Sequence, residues 1–200
     1  MAYYHLGELV HNQAQKYKNR TSLKFLLSDG KWAHISWEEF SDRIMKTAQA
    51  MAEMQIKPDD KIGIYSQNMA KYLITDFAAY ANRAIMTPMY ATSSPAQVEY
   101  IVNDAQVKVI FVGEQFQYNN AYKVQQESQV LKKIIVFDRN VVLKPEDKTS
   151  IYFDDFITTG DNSESLALVN ARLRQLKDTD LAAIIYTSGT TGAPNGLILP

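Results

Sequence analysis

Cysteine is absent from the 200 residues, which excludes a disulfide framework, a thiolate metal site and a thiol nucleophile. No run approaches the roughly 18 consecutive apolar residues of a membrane span. The start, Met1-Ala-Tyr-Tyr-His-Leu-Gly-Glu-Leu-Val10, lacks the basic-then-apolar pattern of a secretory signal. The cytoplasm is therefore the expected compartment. Charge of one sign is lacking too: 21 basic and 22 acidic side chains leave a net charge of -1. That removes an electrostatic case for nucleic acid or strongly anionic membranes. Tyrosine is plentiful at 12, but no basic residues interleave with it as base stacking would need. The three histidines, His5, His11 and His34, lack both i, i+4 spacing and carboxylate company, so capping or surface roles are expected and no metal site is. Asp59-Asp60 and Asp154-Asp155 read as turn residues, not as an acid/base pair.

What remains is an ordinary globular composition, 46% apolar and 22% charged. Its pattern alternates. Leu6, Leu9, Val10 and Ala14 share a helical face. Ser22–Leu27 and Lys31–Ile35 read as strands joined through Asp29-Gly30, a hairpin signal. Ser36-Trp-Glu-Glu39 is a capping box opening a helix with Phe40, Ile44, Ala48 and Met51 at helical spacing. The turn at Lys57-Pro-Asp-Asp60 is expected to end it. From Lys61 strands and helices alternate. Lys61–Ser66, Ile85–Met89, Lys108–Val112 and Lys133–Phe137 are the strands, with helices at Met69–Ala81, from Ser94-Pro95, and before Lys133. The stretch 138–160 is irregular, Asn162–Arg174 is a helix, and Leu181–Tyr186 is an apolar strand. The fold class is therefore α/β, with layered βαβ units on a mostly parallel sheet, read as one continuous unit.

After that strand comes Thr187-Ser-Gly-Thr-Thr-Gly-Ala-Pro-Asn-Gly196. Its three glycines let an anion approach the backbone amides closely, and four hydroxyls add donors. Consecutive amides and hydroxyls at the carboxyl end of a parallel strand form an anion nest suited to phosphates. A plain hairpin turn at Asn195-Gly196 is the rival reading. Hairpin loops usually hold two to five residues, and this segment is longer. A P-loop is excluded, because the residues five after Gly189 and Gly192 are Pro194 and Leu197, not glycine.

The string Asp180-Leu-Ala-Ala-Ile-Ile-Tyr-Thr-Ser-Gly-Thr-Thr-Gly-Ala-Pro-Asn-Gly196 resembles the signature loop of the adenylate-forming superfamily. That group comprises acyl-CoA synthetases, luciferase-like enzymes and peptide-synthetase adenylation domains. Ile35-Ser-Trp-Glu-Glu-Phe40 and Thr87-Pro-Met-Tyr-Ala-Thr-Ser-Ser94 resemble earlier segments, and Ile184-Ile185-Tyr186 leans toward long-chain fatty acyl-CoA ligases. The resemblance implies that residues 1–200 are the N-terminal portion of the AMP-binding domain. A carboxylic acid would attack the α-phosphorus of ATP, and CoA would then displace AMP. It places Thr187, Ser188, Gly189, Thr190, Thr191 and Gly192 around the β- and γ-phosphates.

Two residues depart from the family: Asn195 stands where lysine is usual, and Arg83 where a small residue, often glycine, is usual. The family's adenine pocket, its ligand for Mg2+ and its catalytic lysine follow the signature loop. No catalytic residue and no metal ligand is therefore expected within residues 1–200, and these residues alone should not ligate. The resemblance leaves room for a homodimer and for peripheral membrane contact of the parent enzyme. A non-catalytic interaction or regulatory module on the same fold is the alternative.

Overall fold

A computed structural model describes residues 5–27, 29–187 and 195–200. In chain order its elements are α1 (Leu6–Tyr17), β1 (Thr21–Leu26), β2 (Trp32–Ser36), α2 (Trp37–Glu53), β3 (Lys61–Tyr65), α3 (Ala70–Ala81), β4 (Ile85–Met89) and α4 (Pro95–Asp104). There follow β5 (Val107–Val112), α5 (Gln115–Glu127), β6 (Lys133–Val136), β7 (Ile151–Tyr152), α6 (Phe153–Phe156), α7 (Ser163–Leu173), β8 (Ala183–Thr187) and β9 (Asn195–Leu199). Where the sequence reads as one continuous unit, the chain forms two compact ones. The first holds Met1–Ile56, Asn68–Arg83 and Ile157–Asp180; the second holds Lys57–Gln67, Ala84–Phe156 and Leu181–Pro200.

The first unit is helical, with an added hairpin. β1 and β2 pair antiparallel through a turn in which Gly30 takes φ 80° and the Lys31 amide donates to Asp29 Oδ1. His5 caps α1, its Nδ1 accepting the Gly7 amide at 3.0 Å, so one of the three histidines does the capping job expected of it. The box at Ser36 forms in both directions: the Ser36 amide donates to Glu39 Oε2 at 2.7 Å and the Glu39 amide to Ser36 Oγ at 3.1 Å. α2 stops at Glu53, ahead of the Lys57–Asp60 turn, because Gln55 turns left-handed at φ 63°. Its buried face includes Phe40, Ile44, Ala48 and Met51. Asn82, fully buried, ties three helices together. Its Nδ2 donates to the Ala48 and Ala78 carbonyls, and Arg172 Nη1 donates to its Oδ1. Glu53 accepts from Asn162 Nδ2 and Ser165 Oγ, fixing the start of α7 on the end of α2.

The second unit carries a seven-stranded sheet in the order β7-β6-β5-β3-β4-β8-β9. All neighbours are parallel except β8 and β9. Strands β3 and β5 are buried on both faces (Ile62, Ile64, Tyr65, Ile110, Phe111), as near-continuous apolar strands of a parallel sheet require. Val98, Ile101, Val102, Tyr118, Ala121 and Val124 from α4 and α5 join one core with Tyr65, Ile110 and Val112. Phe111, Phe137, Phe153 and Phe156 form an aromatic cluster. β7 and α6 lie in the stretch expected to be irregular, and Asp154-Asp155 sit in α6, not in a turn. No helix among the described residues is long and apolar enough to cross a membrane.

One buried polar atom in this sheet lacks a partner. Thr87 is fully buried in β4 opposite Gly63, and its Oγ1 makes no hydrogen bond among the described residues. An orphaned buried hydroxyl costs about 1–3 kcal/mol. Thr87→Val, which removes it at nearly constant volume, is expected to stabilise the chain by about 1 kcal/mol, read as a higher urea midpoint at unchanged slope. A lower midpoint would mean that the hydroxyl has a partner in solution.

Candidate functional site

β8 begins its ladder with β4 at Met86↔Ala183, running parallel to it. Its last residue, Thr187, therefore emerges at the carboxyl edge of the parallel strands, where α/β sheets bind ligands. Thr187 is exposed there. Of the six residues expected to hold phosphates it is the one described; Ser188, Gly189, Thr190, Thr191 and Gly192 lie outside the described residues. The chain returns as β9, antiparallel to β8 from Ala183↔Leu199 to Thr187↔Asn195. Asn195-Gly196 is thus the opening of a return strand, not the turn of the rival reading. β8 and β9 thus form a two-stranded stem.

Gly196 belongs to that stem. The sequence reading groups it with the glycines that admit an anion; in the structure it lies opposite Tyr186. A Cβ on it would stand 3.0 Å from Ile184 Cγ2, 3.2 Å from Tyr186 Cζ and 3.4 Å from Tyr186 Oη. The missing side chain makes room for the tyrosine ring. The Tyr186 hydroxyl donates to Asp104 Oδ2 at 2.5 Å, and Tyr100 meets its ring edge-on at 6.3 Å. Burial first, then the Asp104 carboxylate, pushes the Tyr186 phenol far up, so it stays protonated. Asn195 is exposed and uncharged at the head of β9.

Arg83 acquires a structural account. It sits in the left-handed region at φ 58°, a conformation that glycine adopts without strain. Its guanidinium makes a two-pronged bond to Asp180, Nε to Oδ2 and Nη2 to Oδ1, both 2.7 Å. Asp180 Oδ2 also accepts the Lys177 amide. Both side chains are mostly buried, at 15% and 12% exposure. The two residues are far apart in sequence, and the motif reading offers no signal that would pair them. In the same unit, burial pushes the half-buried Asp76 carboxyl on α3 up to about 7. Among the described residues no group of three or more His, Cys, Asp and Glu is placed to hold a metal ion.

Residues 10–200 match the family model described as "AMP-binding enzyme". A probable CoA ligase of Humulus lupulus is 27% identical over 170 residues, covering 85% of this chain and 26% of the relative. A long-chain-fatty-acid–CoA ligase of Mycobacterium bovis is 28% identical over 170 residues, 85% of this chain and 27% of its own length. The rat long-chain-fatty-acid–CoA ligase ACSBG1 is 25% identical over 197 residues, 98% of this chain and 27% of that protein. The chain thus spans about a quarter of the length of these relatives. The crystal structure of the anthranilate CoA ligase AuaEII in complex with anthranoyl-AMP superposes with a TM-score of 0.79 at 20% identity, covering 98% of this chain and 34% of that one. That likeness is one of fold.

Proposed function

From the premise that this chain belongs to the AMP-binding enzyme family, we propose that it supplies the phosphate-holding stem of an ATP-dependent acid–thiol ligase acting on a fatty acid. In the first step a carboxylate oxygen attacks the α-phosphorus of ATP. The bond from the α-phosphorus to the bridging oxygen breaks, and pyrophosphate leaves with its electron pair. In the second step the CoA thiol, losing its proton, attacks the acyl carbon and releases AMP. Thr187 and the residues after it through Gly192 stand at the β- and γ-phosphates, where negative charge grows as pyrophosphate departs. Oriented hydroxyl and amide donors stabilise that charge without reorganising. Hydrogen bonds to charged groups are worth about 1.5–3 kcal/mol each, so several of them matter. Magnesium arrives with ATP, and no ligand for it is assigned among these residues. The parent acts in the cytoplasm, with any membrane contact peripheral.

The observation that carries this reading is the place of Thr187, exposed at the carboxyl edge where the parallel strand β8 ends. The test is pyrophosphate–ATP exchange by the longest natural reading frame containing these residues, with fatty acids of varied length. Acid-dependent exchange is the expected result; its absence with every acid sinks the reading. The 200 residues alone should form no thioester.

Asn195 supports one further expectation. It pairs with Thr187 across the stem, so a cation there would face the same phosphates. Asn195→Lys should raise ATP turnover about tenfold in the parent, the effect expected of one added charge-assisted contact. Equal rates would show that the amide donors suffice. The second reading, a non-catalytic interaction module, is favoured by that same missing charge. It predicts no exchange with or without the lysine.

A further inference from the structure

We propose that the first compact unit holds a binding site for a small apolar carboxylate, in a cavity framed by α1, α2, α3 and α7. The cavity measures about 350 Å3, within the range of small-molecule sites. At roughly 30 Å3 for each water-sized group, it accepts about a dozen carbon-sized atoms. Its lining belongs wholly to the first unit, whereas Thr187 belongs to the second, so the site does not depend on the phosphate assignment. The floor is apolar: Val10 of α1, Ile44 of α2, and Phe77 and Ala81 of α3. On the rim stand Asn12 of α1, Ser41 of α2, Asn170 of α7 and Arg174 at the end of α7.

The cavity is not slack packing, because its walls are pinned. Gly7 brings α1 so close that a Cβ there would stand 2.9 Å from the Tyr80 carbonyl oxygen and 3.1 Å from Leu176 Cδ2. On the other helices, Asn82 bonds the Ala48 and Ala78 carbonyls and accepts from Arg172 of α7. Helices fixed in this way cannot close on the space between them, and close-packed interiors rarely leave one so large. An apolar group entering it removes the floor side chains from water. The rim sets the chemistry. The half-buried side chains of Asn12, Ser41 and Asn170 make no hydrogen bond among the described residues, and neither does the exposed guanidinium of Arg174. Together they offer donors in excess, and Arg174 adds a fork-shaped cation that matches a carboxylate. Glu8, an acid also on this rim, serves the first turn of α1, where the helix dipole favours it. His11 Nε2 is engaged with Gln15 Nε2 at 3.0 Å. An alkanoate of about eight carbons fits the space, its chain on the floor and its carboxylate at Arg174.

The test is calorimetric titration of octanoate, hexanoate and octanol into the 200-residue chain, with Tm measured alongside. Octanoate should bind and raise Tm. Hexanoate should bind more weakly by about fourfold for each missing methylene. Octanol, lacking the charge, should be about tenfold weaker than octanoate. Arg174→Gln, at an exposed position, should weaken octanoate about tenfold and leave octanol unchanged. Ser41→Leu and Asn170→Leu each put an apolar side chain across the rim and should weaken both ligands at least about tenfold. The two variants lie on different helices, so a failure of one to fold leaves the other to decide. Octanoate binding that Arg174→Gln and both leucine variants leave unaltered lies elsewhere and overturns the proposal. Octanol binding as tightly as octanoate would reveal an apolar hole without carboxylate recognition, and the proposal fails. Octanoate producing neither heat nor a rise in Tm also overturns it.

Discussion

Gly160→Ala is expected to cost about 3–4 kcal/mol, at the upper end of what overpacking a closed site does. Gly160 rests on the C-terminal part of α2. A Cβ at this position would lie 2.2 Å from the Ala50 nitrogen, 2.3 Å from the Gln49 carbonyl carbon and 2.6 Å from Ala50 Cα. All three are main-chain atoms inside a helix, so no side chain can swing aside to admit the methyl. Either α2 shifts bodily, or the chain around Gly160 lifts away. Lifting would pull on Asn162, whose side chain caps α7 and bonds Glu53. The fall in Tm should be roughly 10 °C for a chain of this length. Gly30→Ala is the control. There a Cβ meets open space, and the backbone alone is strained at φ +80°, so about 1 kcal/mol is expected. If Gly160→Ala melted within a degree or two of wild type, the close contact with α2 would be wrong.

Removing one half of the Arg83–Asp180 pair is the second large effect. A buried, two-pronged ion pair that loses one partner leaves the other charge stranded, which costs about 3 kcal/mol for a pair with this little exposure. Arg83→Ala and Asp180→Ala should each show it in urea denaturation. Arg83→Gly should be milder than Arg83→Ala by about 1 kcal/mol, since glycine tolerates φ 58° and alanine does not. That difference separates the backbone cost from the lost charge. The pH dependence follows from Asp180. The hydrogen bond from Arg83, despite the opposing effect of burial, holds its carboxyl below the ordinary range. An acid with a depressed folded pKa contributes stability that is fully present above its unfolded value, about 3.9. That contribution is lost as pH falls through the lower folded value, while Arg83 stays charged. Wild type should therefore lose its advantage over Asp180→Asn in strong acid and keep it at neutrality. An advantage constant down to pH 2 would contradict the pairing.

These two sites mark where legibility in the sequence ends. Short-range signals read well. The boxes at Ser36–Glu39 and Ser94–Gln97 form as spaced, and the strand at Ile85–Met89 keeps its bounds. Their causes act within one turn or one pleat, so local order suffices to see them. The alternation of apolar strands and helices likewise leads to a mostly parallel sheet. β7 and α6 escaped because two extended residues and a single helical turn are too short to show a period. Gly160 and Gly196 carry no local mark, since each is demanded by atoms distant in the chain or across a ladder. Arg83 stood out only as a departure from a family habit. At the candidate site, Thr187 and its place at the sheet edge were legible from the loop's composition. The stem beneath it was not, because Tyr186 and Asp104 meet only after α4 is packed.

The way the two compact units are threaded bears on how this protein is made. The chain changes unit after Ile56, Gln67, Arg83, Phe156 and Asp180. On a ribosome, neither half can complete itself while the other waits: α7 must emerge before the first helices find their last neighbour, and β8 before the sheet gains its own. Nascent chains therefore carry unsatisfied apolar faces until β8 and β9 emerge, and holding chaperones should engage them up to that point.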